Sequence, residues 1–233
     1  MSSGFRGFPP EMVQFFRALK RNNRREWFQP RKHLYEQHVK APMLELVTAL
    51  NSELRKFAPQ FVTEPKKAVF RIYRDTRFSA DKTPYKTHAA ASFWRHDAGG
   101  FYFSLSPDQI EVAGGIYHPI PETMYLVRTH IAGNYEELRR ILANKKSRKL
   151  AGDLQGDELT RAPKGFDPQH PALDLIKKKD WILDVSLEPS LATSPKLYRE
   201  IVDRFRAMAP LIEYLNRPLE GRKPRREPLD AHF

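Results

Sequence analysis

The apolar side chains of this chain change their spacing twice, and that double switch limits the folds open to it. Up to about residue 57 they recur at helical intervals: Met12, Phe15, Phe16 and Leu19 share one face after Pro9-Pro10, and Met43, Leu46, Val47, Leu50 and Leu54 form a second stripe. Asn22-Asn23 is expected to end the first helix by entering the left-handed region. A second helix is expected near Arg24, with Pro30 in the first turn of its continuation through Leu34 and Tyr35, and Pro42 should kink or restart it. From Ala68 the period becomes two, which predicts strands over Ala68–Tyr73, His88–Trp94, Gly100–Leu105 and Gln109–Ile116. Phe101, Phe103 and Leu105 alternate with Tyr102, Ser104 and Ser106, implying one buried and one polar face. His96–Gly100 reads as a hairpin loop and Ser106-Pro107-Asp108-Gln109 as a tight turn, and such short links join antiparallel neighbours.

Helical spacing then returns over Pro121–Ala132 and Tyr135–Ala143, with Gly133-Asn134 as the break, and over Pro171–Lys179 and Pro195–Asn216. A short strand is expected over Asp157–Arg161 and a last one over Trp181–Leu187. The pattern predicts an α+β fold: an antiparallel β-meander of about four to six strands packed against N- and C-terminal helices that cover one sheet face. Residues 1–216 read as a single α+β domain, and 217–233 as a flexible, basic, proline-containing tail.

Composition narrows the chemistry. The chain has no cysteine, which removes disulfides, thiolate catalysis and Cys-rich zinc or iron–sulfur sites. No apolar run reaches the roughly 18 residues that cross a bilayer, and the first residues lack an apolar leader, so a cytoplasmic protein without a membrane partner is expected. His33 and His38 do not share a helix face, His118-Pro119 reads as a strand end, and His88, His96 and His118 converge only if their loops fold together. No metal site is therefore expected, and no motif names a cofactor. Gly114-Gly115 lies inside a strand, where a bulge is the expected role, and there is no phosphate loop or nucleophile elbow.

Charge is more directive. The formal net charge is +12, which attracts anions, although surplus lysine and arginine can also serve solubility alone. Residues 20–32 carry six cations against Glu26, a net of +5, and residues 66–86 carry seven against Asp75 and Asp81, again +5. Within the second segment, Arg71, Arg74, Arg77, Lys82 and Lys86 surround the two aspartates, and Tyr73 and Tyr85 supply hydroxyls. Guanidinium forks aimed by a carboxylate are what an anion site needs. If the strand runs on through Arg77, alternation puts Arg71, Tyr73, Asp75 and Arg77 on one face and Arg74 on the other, so the three arginines do not meet on one ligand. Asp81-Lys82-Thr83-Pro84 would then turn Tyr85 and Lys86 back toward the patch.

The pattern Arg71-x-x-Arg74-Asp75-x-Arg77-Phe78-x-x-x-Lys82-x-Pro84-Tyr85-Lys86 resembles the signature of a bacterial family, domain of unknown function 2461. The resemblance runs from about Phe8 to Leu215 and takes in Asn22-Asn23, Glu26-Trp27-Phe28 and Pro163-Lys164-Gly165. It implies no substrate, cofactor or catalytic residue.

Three functions fit the residues. The first is binding of a phosphate- or carboxylate-bearing small molecule, with processing left open: Arg71, Arg74, Arg77, Lys82 and Lys86 supply charge, Tyr85 a hydroxyl, and Asp75 orients an arginine. Arg24, Arg25 and Trp27 would form a rim if the fold brings them near. The second is nucleic-acid binding through both basic segments with interleaved Trp27, Tyr73 and Tyr85. The third is a structural or interaction module held by an Arg/Asp ion-pair network.

Overall fold

A computed structural model describes residues 4–77, 79–94 and 98–221. In chain order the elements are α1 (Pro10–Arg21), α2 (Arg25–Phe28), α3 (Lys32–Tyr35), α4 (Ala41–Phe57), α5 (Pro65–Ala68), β1 (Ala89–Trp94), β2 (Gly100–Leu105), β3 (Ile110–Ile116), α6 (Pro121–Leu142), α7 (Lys145–Ala151), β4 (Leu154–Gln155), α8 (Leu173–Ile176), β5 (Trp181–Leu187) and α9 (Leu197–Asn216). The strands form one antiparallel sheet of five in the order β1-β2-β3-β5-β4, with helices before and after it. The α+β meander expected from the change of period is what forms.

The chain divides into two compact units, each discontinuous in sequence: Met1–Phe93 with Tyr102–Val112 and Ser186–Val202, and Trp94–Phe101 with Ala113–Val185 and Asp203–Phe233. In the first, α1 buries the predicted Met12, Phe15, Phe16 and Leu19, and α4 buries Met43, Leu46, Val47, Leu50 and Leu54. Burying each such side chain contributes about 1.5–3 kcal/mol, which is why these stripes were readable. Asn22 ends α1 without entering the left-handed region (φ −135°); instead its side-chain Nδ2 donates to the Ala18 carbonyl at 2.9 Å. Pro42 does not stop the helical path. A π-turn over Glu36–Lys40 precedes it, and Pro42 falls in the first turn of α4, where its missing N–H leaves no gap.

The expected strand Ala68–Tyr73 is replaced by the end of α5 and a ribbon with two isolated bridges, Val69↔Ala91 and Tyr73↔Tyr85. β1 departs from the two-faced pattern: Ala89 through Phe93 are all buried, so it is covered on both faces. The polar side survives at Ser104, whose hydroxyl donates to Glu111 across β2 and β3 at 3.2 Å. The turn Ser106–Gln109 closes as expected, with the Ser106 amide donating to the Gln109 carbonyl at 2.9 Å.

In the second unit, α9 buries Phe205, Met208, Leu211, Ile212 and Tyr214. Phe205 lies 4.7 Å from the Phe101 ring, and Met208 and Ile212 sit over Gly114, where a Cβ would crowd them. The expected break at Gly133-Asn134 is a kink inside one helix, with Asn134 at φ −136°, ψ 25° and its carbonyl accepting from the Tyr214 hydroxyl at 3.1 Å. The expected strand over 157–161 moves to Leu154–Gln155, which pairs with β5, and leaves a single bridge, Glu158↔Lys178. The expected helix over 171–179 shortens to α8. The hairpin loop at His96–Gly100 lies partly, and the tail mostly, outside the described residues.

Gly115 is at φ +144°, and a Cβ there would collide with the Trp181 carbonyl oxygen. Backbone proximity, rather than a bulge alone, is what requires glycine. Replacing Gly115 by Ala should lower the unfolding free energy by more than about 2 kcal/mol, read from urea titration; Ala at Gly133, where a Cβ meets nothing within 4 Å, should leave it within about 1 kcal/mol.

Candidate functional site

The two basic segments meet through an asparagine. Asn23 Nδ2 donates to the Tyr85 carbonyl at 2.8 Å, and the Tyr85 amide donates back to Asn23 Oδ1 at 3.1 Å. This pair of bonds fixes the start of α2 against the ribbon. It leaves Arg25 and Glu26 close enough to the Tyr85 hydroxyl to influence its titration.

The ribbon itself is a distorted hairpin. Phe70 N–H donates to Ala90 O at 2.9 Å, Lys86 N–H to Ile72 O at 2.7 Å, and Arg74 N–H to Pro84 O at 2.9 Å. Between the bridges Val69↔Ala91 and Tyr73↔Tyr85 one side has three residues and the other five. The two extra residues make a bulge within 86–90, and this offset prevents a regular strand.

Tyr73 and Tyr85 face each other on one side of the ribbon, their rings 5.5 Å apart. Tyr85 is 2% exposed and stacks on Phe28 at 4.1 Å. Burial raises its hydroxyl above the usual range, opposed by a hydrogen bond from Gln29. Tyr35, also against Phe28, is pushed well up by burial, with Glu36 and Tyr73 adding to it. Tyr73 is 43% exposed, so it is the ring of this group that faces solvent. Arg71 follows the same side, and it lies near enough to Asp75 to lower its pKa.

On the opposite side lie Phe70, Ile72 and Arg74. Arg74 Nη1 donates to Asp81 and, at 2.7 Å, to Thr83 Oγ1. Lys86 Nζ stands 4.8 Å over the Phe70 ring. His88 is half-buried near both; burial first, then Lys86 and Arg74, hold its imidazole down to about 4. The loop tip closes on itself. Arg77 grips Asp75 by three side-chain bonds of 2.6–3.2 Å, and Lys82 Nζ donates to the Thr76 carbonyl at 2.9 Å. Asp75 is held at about 2 by Arg77, through side chain and backbone, and Asp81 at about 2 by the Thr83 amide and then Arg74. Both are ionised at neutral pH, and a carboxylate so acidic is a poor general base. Phe78 of the signature lies outside the described residues.

Arg71, Arg74 and Arg77 therefore do not gather on one point: Arg71 and Arg77 share Asp75, and Arg74 turns away to Asp81 and Thr83. Tyr85 lies beneath the surface, with its hydroxyl taken up by Gln29. Arg24 and Arg25 are exposed, and their side chains make no hydrogen bond or ion pair among the described residues. Trp27 is half-buried against Phe15 at 5.9 Å and covered by Arg31 at 4.8 Å. Sequence reasoning missed the roles of Asn23, Gln29, Tyr35 and His88; only the Asn22-Asn23 break signalled any of them. Among the described residues no group of three or more His, Asp or Glu is placed to hold a metal, and no helix is long and apolar enough to cross a membrane.

An antiparallel sheet with helices before and after it in the chain, and a bulged basic ribbon against the N-terminal helices, defines the molecule structurally. Its sequence matches the family described as conserved hypothetical protein (DUF2461) over residues 11–214, and the chain belongs to that family. No curated protein and no solved structure matches it.

Removing the clamp with Asn23→Ala leaves the Tyr85 amide and carbonyl unmatched in a part-buried place. It should lower stability by about 1–3 kcal/mol in urea titration. The His88 imidazole gives a pH dependence of definite sign. The unfolded chain takes up that proton near the ordinary value of about 6.5 while the native chain resists it to about 4, so stability falls as pH drops through that window. The loss should reach about 2 kcal/mol by pH ~5, and His88→Gln should abolish it. Further loss, as pH falls from about 4 toward 2, belongs to Asp75 and Asp81.

Proposed function

We propose that this protein binds a phosphate- or carboxylate-bearing ligand on the surface shared by Arg24–Arg25 and Arg71–Lys86. The observation that carries this reading is the Asn23–Tyr85 clamp, which ties together two segments that each carry a net charge of +5. Inside the ribbon the two aspartates are already consumed by Arg77 and Arg74, so the surface keeps its positive excess. A purely structural role for the ion pairs is less well supported on magnitude. The Arg77–Asp75 pair is exposed, and exposed pairs contribute only about 0–1 kcal/mol. The clamp, the aromatic stack and the backbone bonds hold the ribbon without them.

The ligand is a small anion in this reading, with Arg24 and Arg25 making first contact and the ribbon completing the site. Nucleic acid is the second reading, favoured by the exposed Tyr73 ring between the two basic segments, a platform on which a base can stack. Thermal shift measured with phosphate, pyrophosphate, nucleoside triphosphates and citrate tests the first. A ligand at a hundred times its Kd should raise the melting temperature by roughly 5–10 °C, and the joint change Arg24→Ala/Arg25→Ala, or Arg74→Ala, should reduce that rise by more than half. No shift with any anion contradicts it. Tight binding of single-stranded oligonucleotides with a steep dependence on salt, and none of small anions, would favour the second.

A further inference from the structure

We propose that the anion seat of this surface is the Arg74–Lys86–His88 side of the ribbon, and that a tetrahedral oxyanion binds there together with a proton taken up by His88. The inference rests on the anion-binding reading above and specifies where the anion sits and what accompanies it.

The register assembles the seat. Arg74 and Lys86 follow Tyr73 and Tyr85 of the bridged pair, so alternation puts both on the side opposite the tyrosines, and His88 lies close enough to both to feel their charge. Lys86 is held over the Phe70 ring, with its ammonium 4.8 Å from the ring centre. Arg74 spends only Nη1 on Asp81 and Thr83; Nε and Nη2 have no partner among the described residues. Neither ring nitrogen of His88 has a hydrogen-bond partner among the described residues. A guanidinium, an ammonium and an imidazole together offer more donors than the two oxygens of a carboxylate take up, which suits the several oxygens of a sulfate or phosphate group.

Charge explains the proton. The groups facing His88 are Lys86 on its own segment and Arg74 on the opposing one, both cationic. Among the described residues, the carboxylate joined to Arg74 is Asp81, which the Thr83 amide also holds. An empty seat therefore disfavours a third positive charge, and the imidazole stays neutral. A neutral imidazole offers an oxyanion one donor and one lone pair, whereas the imidazolium offers two donors and a charge. A bound dianion offsets Lys86 and Arg74 and so returns His88 toward its ordinary titration. Anion and proton each favour the other by the same factor.

Sulfate is the probe, because its charge is constant across the working pH range. Binding is followed by calorimetry at about pH 8 and about pH 5.5, with ionic strength held by chloride. If the bound anion restores the imidazole to its ordinary value, sulfate should bind about tenfold more tightly at the lower pH. His88→Gln should remove that ratio, and Arg74→Ala should weaken binding at both pH values. In the unaltered protein, the His88 ring resonance should titrate at higher pH when sulfate is present, a readout that needs no variant to fold. Equal affinity at the two pH values, or an undiminished ratio in His88→Gln, overturns the proton-coupled seat and leaves anion binding standing. Absence of sulfate binding at either pH overturns the binding reading itself.

Discussion

Three asparagine amides hold this fold at points where secondary structure supplies no ladder. An asparagine side chain presents a donor and an acceptor side by side, and it can match the N–H and C=O of another residue's backbone as a neighbouring strand would. Asn51 does this to Thr63, Asn216 to Gly99, and Asn23 to Tyr85. The surface depends on the last of these. It joins positions 62 residues apart, and the buried Tyr85 ring stacked on Phe28 braces it from below. It sets the first turn of α2, and with it Arg24 and Arg25, beside the ribbon.

The ribbon's register and its charge belong to one arrangement. Alternation from the Tyr73↔Tyr85 bridge puts Lys86 and Arg74 on one side, and the loop beyond closes through Asp75–Arg77 and Asp81–Arg74. Those pairs shape the tip more than they stabilise it. They hold the guanidinium groups in fixed directions, and the loop's positive excess remains.

Much of the frame was legible because its signals are local. β2 and the last strand begin and end where alternation said they would, and the α4 stripe is buried residue for residue. The separation of Arg74 from Arg71 also followed from alternation alone. What could not be read was long-range or compensatory. Nothing near Asn23 in the chain announces Tyr85 as its partner. The strand expected over 68–73 has the right side chains, but it fails because its partner segment carries two residues too many. His88 reads as the first residue of a strand, and nothing in its neighbourhood of the sequence points to the charge of Arg74. At Asn134 the sequence signal for a break was real, and the Tyr214 hydroxyl bond accompanies a kink in its place.

The central claim is that one clamp unites two basic segments into a single anion-binding surface. Anomalous diffraction from crystals soaked in tungstate, a heavy tetrahedral oxyanion, tests it most directly. The account predicts a tungstate held between Arg74, Lys86 and His88, and its loss in Asn23→Ala crystals. Tungstate found only at lattice contacts or elsewhere on the surface, with the ribbon empty, would contradict it.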